Sequence, residues 1–277
     1  MKADLHVHSQ FSDGTYTPRE LAQKLKEAGM GLVALCDHNT TDGCEEMRAA
    51  CAATGMQFIT GAEIDCVFAP FSLHVLALGV DVKNAALQQL LAETRDNIEQ
   101  MSTDLIAAME KAGEPVHSAE YAQFIRNAAN GGWKGIDYLR GKGYTASFPA
   151  CMQVYKQYGA APCQAYAEFS AVCKIRHMAG GTAVLAHPGD RLPGERGAFL
   201  QAMEQLRENG LDGVECYYPS HTSEATQWCL SFCRKNNLCI TAGSDTHGAF
   251  AEQIDGIAYV PGAVDIEVSN LRLGTLI

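Results

Sequence analysis

Asp4-Leu5-His6-Val7-His8 opens the chain and decides how the rest is read. Apolar Leu5 and Val7 alternate with the two histidines, which is the period of a β-strand. His6 and His8 therefore leave the strand on one face. Two imidazoles held by one rigid strand can grip a single metal ion. A lone His-x-His pair is a weak signal, and its meaning here comes from its company. Asp13, His38, Glu63, His74, His187, Asp245 and His247 are all metal-ligand types, and each falls near the end of a predicted strand.

Outward from that strand, Gln10–Thr17 is a polar loop, and Thr17-Pro18 caps and starts a helix that ends before Gly29. A strand over Gly31–Cys36 delivers Asp37-His38-Asn39. A helix over Gly43–Thr54 stops at Gly55, and a strand over Gln57–Gly61 delivers Glu63. This alternation predicts parallel strands with helices outside. Phe58–Val67 and Ser72–Val80 then read as a hairpin turning at Ala69-Pro70. That register pairs residue 65 with residue 74 and sets Glu63 diagonally from His74 on one face.

The alternation resumes after Gly181. A strand over Thr182–Ala186 ends in His187-Pro188-Gly189, and a helix over Gly197–Asn209 stops at Gly210. A strand over Gly213–Tyr217 leads to Pro219-Ser220-His221. A helix over Ser223–Asn236 turns Cys229 and Cys233 to one core face. The last strand, Leu238–Ala242, runs into Gly243-Ser244-Asp245-Thr246-His247. The tail after Ile254 carries no usable pattern. In α/β barrels, function collects at the carboxyl ends of the strands. His8, His38, Glu63, His187, His221 and Asp245/His247 follow six different strands in that position. His117 and His177 fall outside the pattern, and His177 suits a helix end.

With 277 residues, 47% of them hydrophobic, the chain can bury one large core, as a barrel with an insert. A net charge of −11 argues against broad binding to a nucleic acid backbone or an anionic membrane. Eleven cysteines without a Cys-x-x-Cys pair read as small buried hydrophobes in a reducing compartment. With no charged leader and no apolar run of membrane length, the expected location is the cytoplasm. Residues 1–83 and 179–277 form the expected barrel, and 84–178 an inserted helical region with a cap subdomain. From Tyr121 to Ala160 the insert carries Arg126, Lys134, Arg140, Lys142 and Lys156 against Asp137 alone, which suggests a lid that meets an anion.

The candidate ligands are too many for one ion. Mixed imidazole and carboxylate donors suit Zn, Mn or Fe, and Glu63, the only glutamate of the set, is placed to bridge two ions. Clustered divalent ions suit hydrolysis of a phosphate ester, where they activate water and stabilise charge on the phosphoryl group.

Asp4-Leu5-His6-Val7-His8-Ser9 followed by Ser12-Asp13-Gly14 resembles the opening motif of the PHP (polymerase and histidinol phosphatase) family. Cys36-Asp37-His38 is similar to its second motif, Ala186-His187-Pro188-Gly189 to its third, and Gly243-Ser244-Asp245-Thr246-His247 to its last. The resemblance implies an α/β fold, a distorted (β/α)7 barrel, with three divalent metal ions. It implies His6, His8, Glu63 and Asp245 for the first ion, Glu63, His74 and His187 for the second, and Asp13, His38 and His247 for the third. The Ser-Asp-Gly loop and the long insert resemble a subgroup that acts on 3′,5′-nucleoside bisphosphates, some members of which trim RNA from the 5′ end. The resemblance then implies phosphate contact for Arg126 and Lys156, and for His221 phosphate contact or protonation of the leaving group. Residues Ala128 to Gly132 depart from the subgroup's Arg/His-rich pattern, which leaves the substrate open.

The leading expectation is a metal-dependent phosphomonoesterase for a small phosphorylated nucleotide, with short RNA as a further substrate and no membrane partner. Alternatives are a histidinol-phosphate or other small-molecule phosphatase, an amidohydrolase-type C–N hydrolase, and a non-catalytic metal-binding module.

Overall fold

The computed structural model describes residues 1–144, 148–159 and 166–277. The chain runs through β1 (Lys2–Val7), α1 (Pro18–Glu27), β2 (Met30–Leu35), α2 (Cys44–Thr54), β3 (Gln57–Thr60), β4 (Glu63–Phe68) and β5 (Phe71–Leu78). Helices α3 (Ala85–Lys111), α4 (Ser118–Gln123), α5 (Lys134–Gly141) and α6 (Phe148–Gln157) follow. Then come β6 (Ala167–Glu168), α7 (Phe169–Met178), β7 (Thr182–Leu185), α8 (Pro188–Arg191), α9 (Arg196–Glu208), β8 (Gly213–Tyr217), α10 (Ser223–Asn236) and β9 (Cys239–Ala242). A small ribbon of β10 (Gln253–Ile254) and β11 (Ile257–Ala258) precedes the tail. No helix among the described residues is long and apolar enough to cross a membrane.

The local signals act as their chemistry predicts. Thr17 forms a capping box with Glu20, and Gly55 and Gly29 take the positive φ that ends a helix. The strands form two sheets, β1-β2-β3 and β6-β4-β5-β7-β8-β9, and β5 runs antiparallel to both its neighbours. The sheets meet at two seams. At one, His8 N donates to Thr246 O at 3.0 Å and Asp245 N to His6 O at 2.8 Å. At the other, Asn39 N donates to Glu63 O at 2.8 Å and Glu63 N to Asp37 O at 3.2 Å. Both seams are made by the residues that carry the candidate ligands.

The hairpin register is the expected one, with Asp65 opposite His74. The first strand of that hairpin is shorter than expected. The run Phe58–Val67 breaks after Thr60, because β3 belongs to the small sheet and β4 to the large one. Gly61 makes the crossing, and a Cβ there would lie 2.8 Å from Leu35 O. Helix α7 starts at Phe169, directly behind the two-residue strand β6. The featureless tail is in fact a strap: Ala3 N bonds Ile266 O, and Ile240 exchanges both backbone bonds with Arg272.

Apolar faces explain the layers. Leu5, Leu32, Ala34, Leu76, Leu78 and Val184 fill the space between the sheets. Helices α1 and α2 cover the small sheet, and α7, α9 and α10 the large one. A separate cluster from Met101 to Tyr155 holds α3 to α6 together, including Tyr121, Ile136 and Leu139. The boundaries 84 and 178 fall outside that cluster. Leu87, Leu90 and Leu91 of α3, with Phe169 and Val172 of α7, pack in the core of the large sheet.

One ion pair ties α7 to the sheet. Arg176 is 2% exposed and pairs with Asp212, which also accepts from Ala183 N at 2.8 Å. We expect Asp212→Ala to leave a buried guanidinium unpaired and to lower stability by about 2–3 kcal/mol, less than for a fully buried pair because Asp212 is partly solvated. Urea denaturation checks it, and a loss under about 0.5 kcal/mol, within the range of an ordinary surface change, would contradict this account.

Candidate metal centre

Glu63 begins β4 and its side chain is 1% exposed. Its carboxylate faces five imidazoles. Oε2 lies 3.2 Å from the Nε2 atoms of His6, His8 and His38. Oε1 lies 2.8 Å from His74 Nδ1 and 3.0 Å from His187 Nε2. Asp245 Oδ1 closes one side, 3.0 Å from His8 Nε2 and 3.3 Å from His6 Nε2. Asp13 Oδ2 reaches His247 Nε2 at 3.3 Å on the other.

The nine candidate ligands thus come together. Their donor atoms fall into groups within 4.8 Å of one another: His6, His8, Glu63 and Asp245; Glu63, His74 and His187; His8, Asp13, His38 and His247. A fourth group joins His38 and His74 through Asp65. Strand ends turn sharply to build this. Asn39, His187 and Asp245 all have positive φ at the exits of β2, β7 and β9, a strained conformation that the surrounding bonds hold in place. Gly243 is needed for a different reason, since a Cβ there would overlap His6 Cβ and the Glu215 carboxylate.

The donor set fits divalent ions on an observation independent of motif. His6 Nε2, both ring nitrogens of His8, His38 Nδ1, His187 Nδ1 and Asp245 Oδ1 are buried without a hydrogen-bond partner. Buried polar atoms are otherwise paired, and three of these, His6 Nε2, His8 Nε2 and Asp245 Oδ1, face one another beside Glu63 Oε2, a donor set that fits a divalent ion. The electrostatics agree. Burial resists charge on every group here, yet Asp245 and Glu63 carry His8 up to about 10. Against the same burial, the imidazoles hold Glu63 and Asp245 well below the usual carboxylate range. Burial prevails at His187, driving it down to about 3.

A second layer of side chains was not singled out from the sequence. Glu215 Oε1 lies 3.0 Å from His6 Nδ1, leaving Nε2 for the cluster, and Glu215 Oε2 accepts from His187 N at 2.9 Å. Its burial pushes it up to about 7 against the pull of His6. Asp37 accepts from Ser9 N, Ser9 Oγ and Ser12 Oγ, which shapes the loop that carries Asp13. Tyr218 donates to Asp245 Oδ2 at 2.7 Å. Arg191, exposed on α8, brings Nη2 to 3.1 Å from His74 Nε2. Glu215 had a signal as the one charge inside an apolar strand, and so had Asp65 of the fourth donor group, which shares its strand face with Glu63. Arg191 had none, because nothing local marks α8.

The three residues expected to meet phosphate stand differently. Arg126 donates to the carbonyls of Ser12, of Gly132 at 2.6 Å and of Gln10 at 2.6 Å, so it clamps the insert onto the Asp13 loop. Lys156 is exposed in the last turn of α6, with no bond to the cluster among the described residues. His221 has Nδ1 3.2 Å from Cys216 O and accepts from Gly189 N at Nε2, 3.0 Å away. Burial lowers its pKa, and the ring sits neutral between two backbone partners.

Residues 4–130 match the PHP domain family. The chain is 27% identical over 263 residues to a 5′-3′ exoribonuclease of Haemophilus influenzae, covering 89% of this chain and 90% of that protein. It is 26% identical over 259 residues to a 3′,5′-nucleoside bisphosphate phosphatase of Chromobacterium violaceum, covering 88% and 86%. It is 28% identical over 259 residues to a phosphoribosyl 1,2-cyclic phosphate 1,2-diphosphodiesterase of Eggerthella lenta, covering 90% and 95%. A solved structure described as an amidohydrolase from Chromobacterium violaceum, with bound sulfate and no metal, matches with a TM-score of 0.78 at 25% identity over 95% of this chain and 93% of that one.

Protons on the imidazoles balance the carboxylates when no cation is present, so an incoming divalent ion must displace them. Calorimetric titration of Mn²⁺ or Zn²⁺ into chelator-stripped protein should show net proton release, read as a heat that changes with buffer ionisation enthalpy. A heat independent of buffer contradicts this picture of the cluster.

Proposed function

From membership of the PHP domain family, carried by residues 4–130, we propose that this chain is a metal-dependent phosphoesterase that hydrolyses a phosphomonoester of a small nucleotide, a 3′,5′-nucleoside bisphosphate. The observation that carries this reading is the convergence of ten imidazole and carboxylate residues, the buried Glu63 among them, into overlapping groups of donor atoms. We read the first three donor groups as sites for three divalent ions, Mn, Fe or Zn, with Glu63 shared between two of them. We read the two sheets, bonded at both seams, as a distorted barrel, and α3 to α6 as its cap.

Bound there, the ions would supply Lewis-acid activation of water and neutralise charge on the phosphoryl group. The chain's own residues prepare the place. Glu215 turns His6, and Tyr218 holds the second oxygen of Asp245. Arg191 is the exposed guanidinium beside the cluster, and its planar donors suit two phosphate oxygens at once. It takes the contact that the resemblance implied for Arg126, whose donors are engaged on carbonyls. His221 reaches a leaving group only by giving up the Gly189 amide, so in this arrangement it supports the loop.

The nucleotide reading is supported by the names of the Chromobacterium and Haemophilus relatives. The Haemophilus relative also favours 5′-end trimming of short RNA, which needs a local pocket and not a basic surface. The Eggerthella relative, matched over 95% of its length, favours a cyclic phosphodiester as a second reading.

Phosphate release from 3′,5′-bisphosphates and ribose cyclic phosphates, with mononucleotide release from 5′-phosphorylated short RNAs, run beside an ammonia-release screen, tests the class. We expect phosphate release that a chelator abolishes and a divalent ion restores. Ammonia release without phosphate release overturns the proposal. Arg191→Ala should lower kcat/KM about 10–100-fold through KM, the cost of one charged hydrogen-bond donor, with metal content unchanged.

A further inference from the structure

Asp13 is the one donor of its group that neither sheet seam holds. His8 bonds Thr246, Asn39 beside His38 bonds Glu63, and His247 follows Thr246 directly, so the three imidazoles leave fixed strand ends. Asp13 sits instead in the loop between β1 and α1. It is buried, with Oδ2 3.3 Å from His247 Nε2 and 4.0 Å from His38 Nε2. It is also the only carboxylate among His8, Asp13, His38 and His247. The charge that would oppose an ion there therefore comes from a loop residue.

Two sets of bonds hold that loop. Within the small sheet, Asp37 accepts from Ser9 N, Ser9 Oγ and Ser12 Oγ. The insert takes the other side, where Gln10, Ser12 and Asp13 all offer it their carbonyl oxygens. Arg126 Nη2 donates to Gln10 O at 2.6 Å and Nη1 to Ser12 O, while Gly132 N donates to Asp13 O at 2.8 Å. The same Nη1 also donates to Gly132 O at 2.6 Å, which fixes the turn that presents the Gly132 amide. The fit is close, since a Cβ on Gly131 would lie 3.0 Å from Asp13 O. A planar guanidinium carries donors at fixed angles, so one side chain can join three carbonyls in this way.

We propose that Arg126 is a positioning residue. By tying Gln10 and Ser12 to the turn that bonds Asp13, it holds the Asp13 carboxylate in its group, and the ion position there is completed by the insert. This rests on the reading of that group as ion ligands. Ion affinity is steep in donor position, because a ligand has to be held within about 0.5 Å of its place. The centre is then asymmetric. Ion positions around Glu63 need only the two sheets, whereas the position at Asp13 also needs the insert seated. Arg126 acts through Asp13 and itself touches neither ion nor phosphate.

The test is Mn²⁺ binding to chelator-stripped protein, with hydrogen exchange of the 9–16 amides read beside it. Arg126→Ala should lose about 10–100-fold in affinity at one ion position and keep the others, and the 9–16 segment should exchange faster. Arg126→Lys keeps the charge without the planar fork and should lose the same ion. Guanidinium ion, added below denaturing concentration, should restore it in Arg126→Ala. Lys134→Ala, which breaks the pair with Glu99 inside the insert, should leave every ion affinity unchanged. Unchanged ion affinity in both Arg126 variants overturns the proposal, and a raised KM beside it would mark Arg126 as a phosphate contact. Equal loss at every ion position also overturns it, because Arg126 would then support the fold at large. Wild type that binds no ion removes the proposed metal centre and this proposal together, whereas ion binding shared equally by wild type and the Arg126 variants removes this proposal alone.

Discussion

One buried carboxylate surrounded by five imidazoles governs this protein. Glu63 has no water to solvate its charge, and a carboxylate in that position must either neutralise or be met by cations. The imidazoles hold it ionised by sharing protons, but those protons sit on atoms that are otherwise unpartnered. Such an arrangement is costly as a core and economical as a receptacle. The large apolar core around both sheets offsets the cost of this locally unsatisfied centre.

The architecture follows from that centre. The backbone bonds that join the two sheets come from His6, His8, Asp37, Asn39, Glu63, Asp245 and Thr246, so the ligand-bearing segments and the structural seams are the same segments. A shift of any one strand end would open a seam and displace a donor together. This coupling explains why left-handed φ values are tolerated at Asn39, His187 and Asp245, and why Gly243 can have no side chain. The insert joins the arrangement through Arg126, which grips three carbonyls around the Asp13 loop, and through Arg140, stacked 4.6 Å over Phe250 beside His247.

Much of this was legible in the residue pattern, for physical reasons. A histidine or carboxylate at a strand's carboxyl end stands out against an apolar run, and that contrast located His6, His8, His38, Glu63, His187, Asp245 and His247. The hairpin register followed from its turn and brought in His74. What stayed hidden depends on partners remote in sequence. Glu215 matters because His6, 209 residues away, turns Nδ1 towards it. Tail residues Ile266 and Arg272 matter because they edge strands that no local periodicity links to them. Basic charge in the insert was legible as a sum, but its use was not. Arg126 and Arg140 serve carbonyls, while Lys134 and Lys142 pair with Glu99 and Glu120.

That last point bears on how an acidic protein handles an anionic substrate. Most of the insert's positive charge is committed internally among the described residues, so it cannot draw phosphate by a broad field. Attraction must be local, and the carboxylates of the centre repel a phosphate until divalent charge outweighs them. Arg191, on the rim at His74, is the cation placed to act at short range. Discrimination then falls to the walls around it and not to net charge: the covered Asp13–His247 side, the short helix after His187, and the Tyr218–Tyr259 pair, whose rings stand 5.8 Å apart. Under the proposed function, a centre whose charge is completed by ions would accept phosphate esters only after its own assembly. This ordering makes the internal ties of its ligands, more than the breadth of its surface potential, the property on which its chemistry turns.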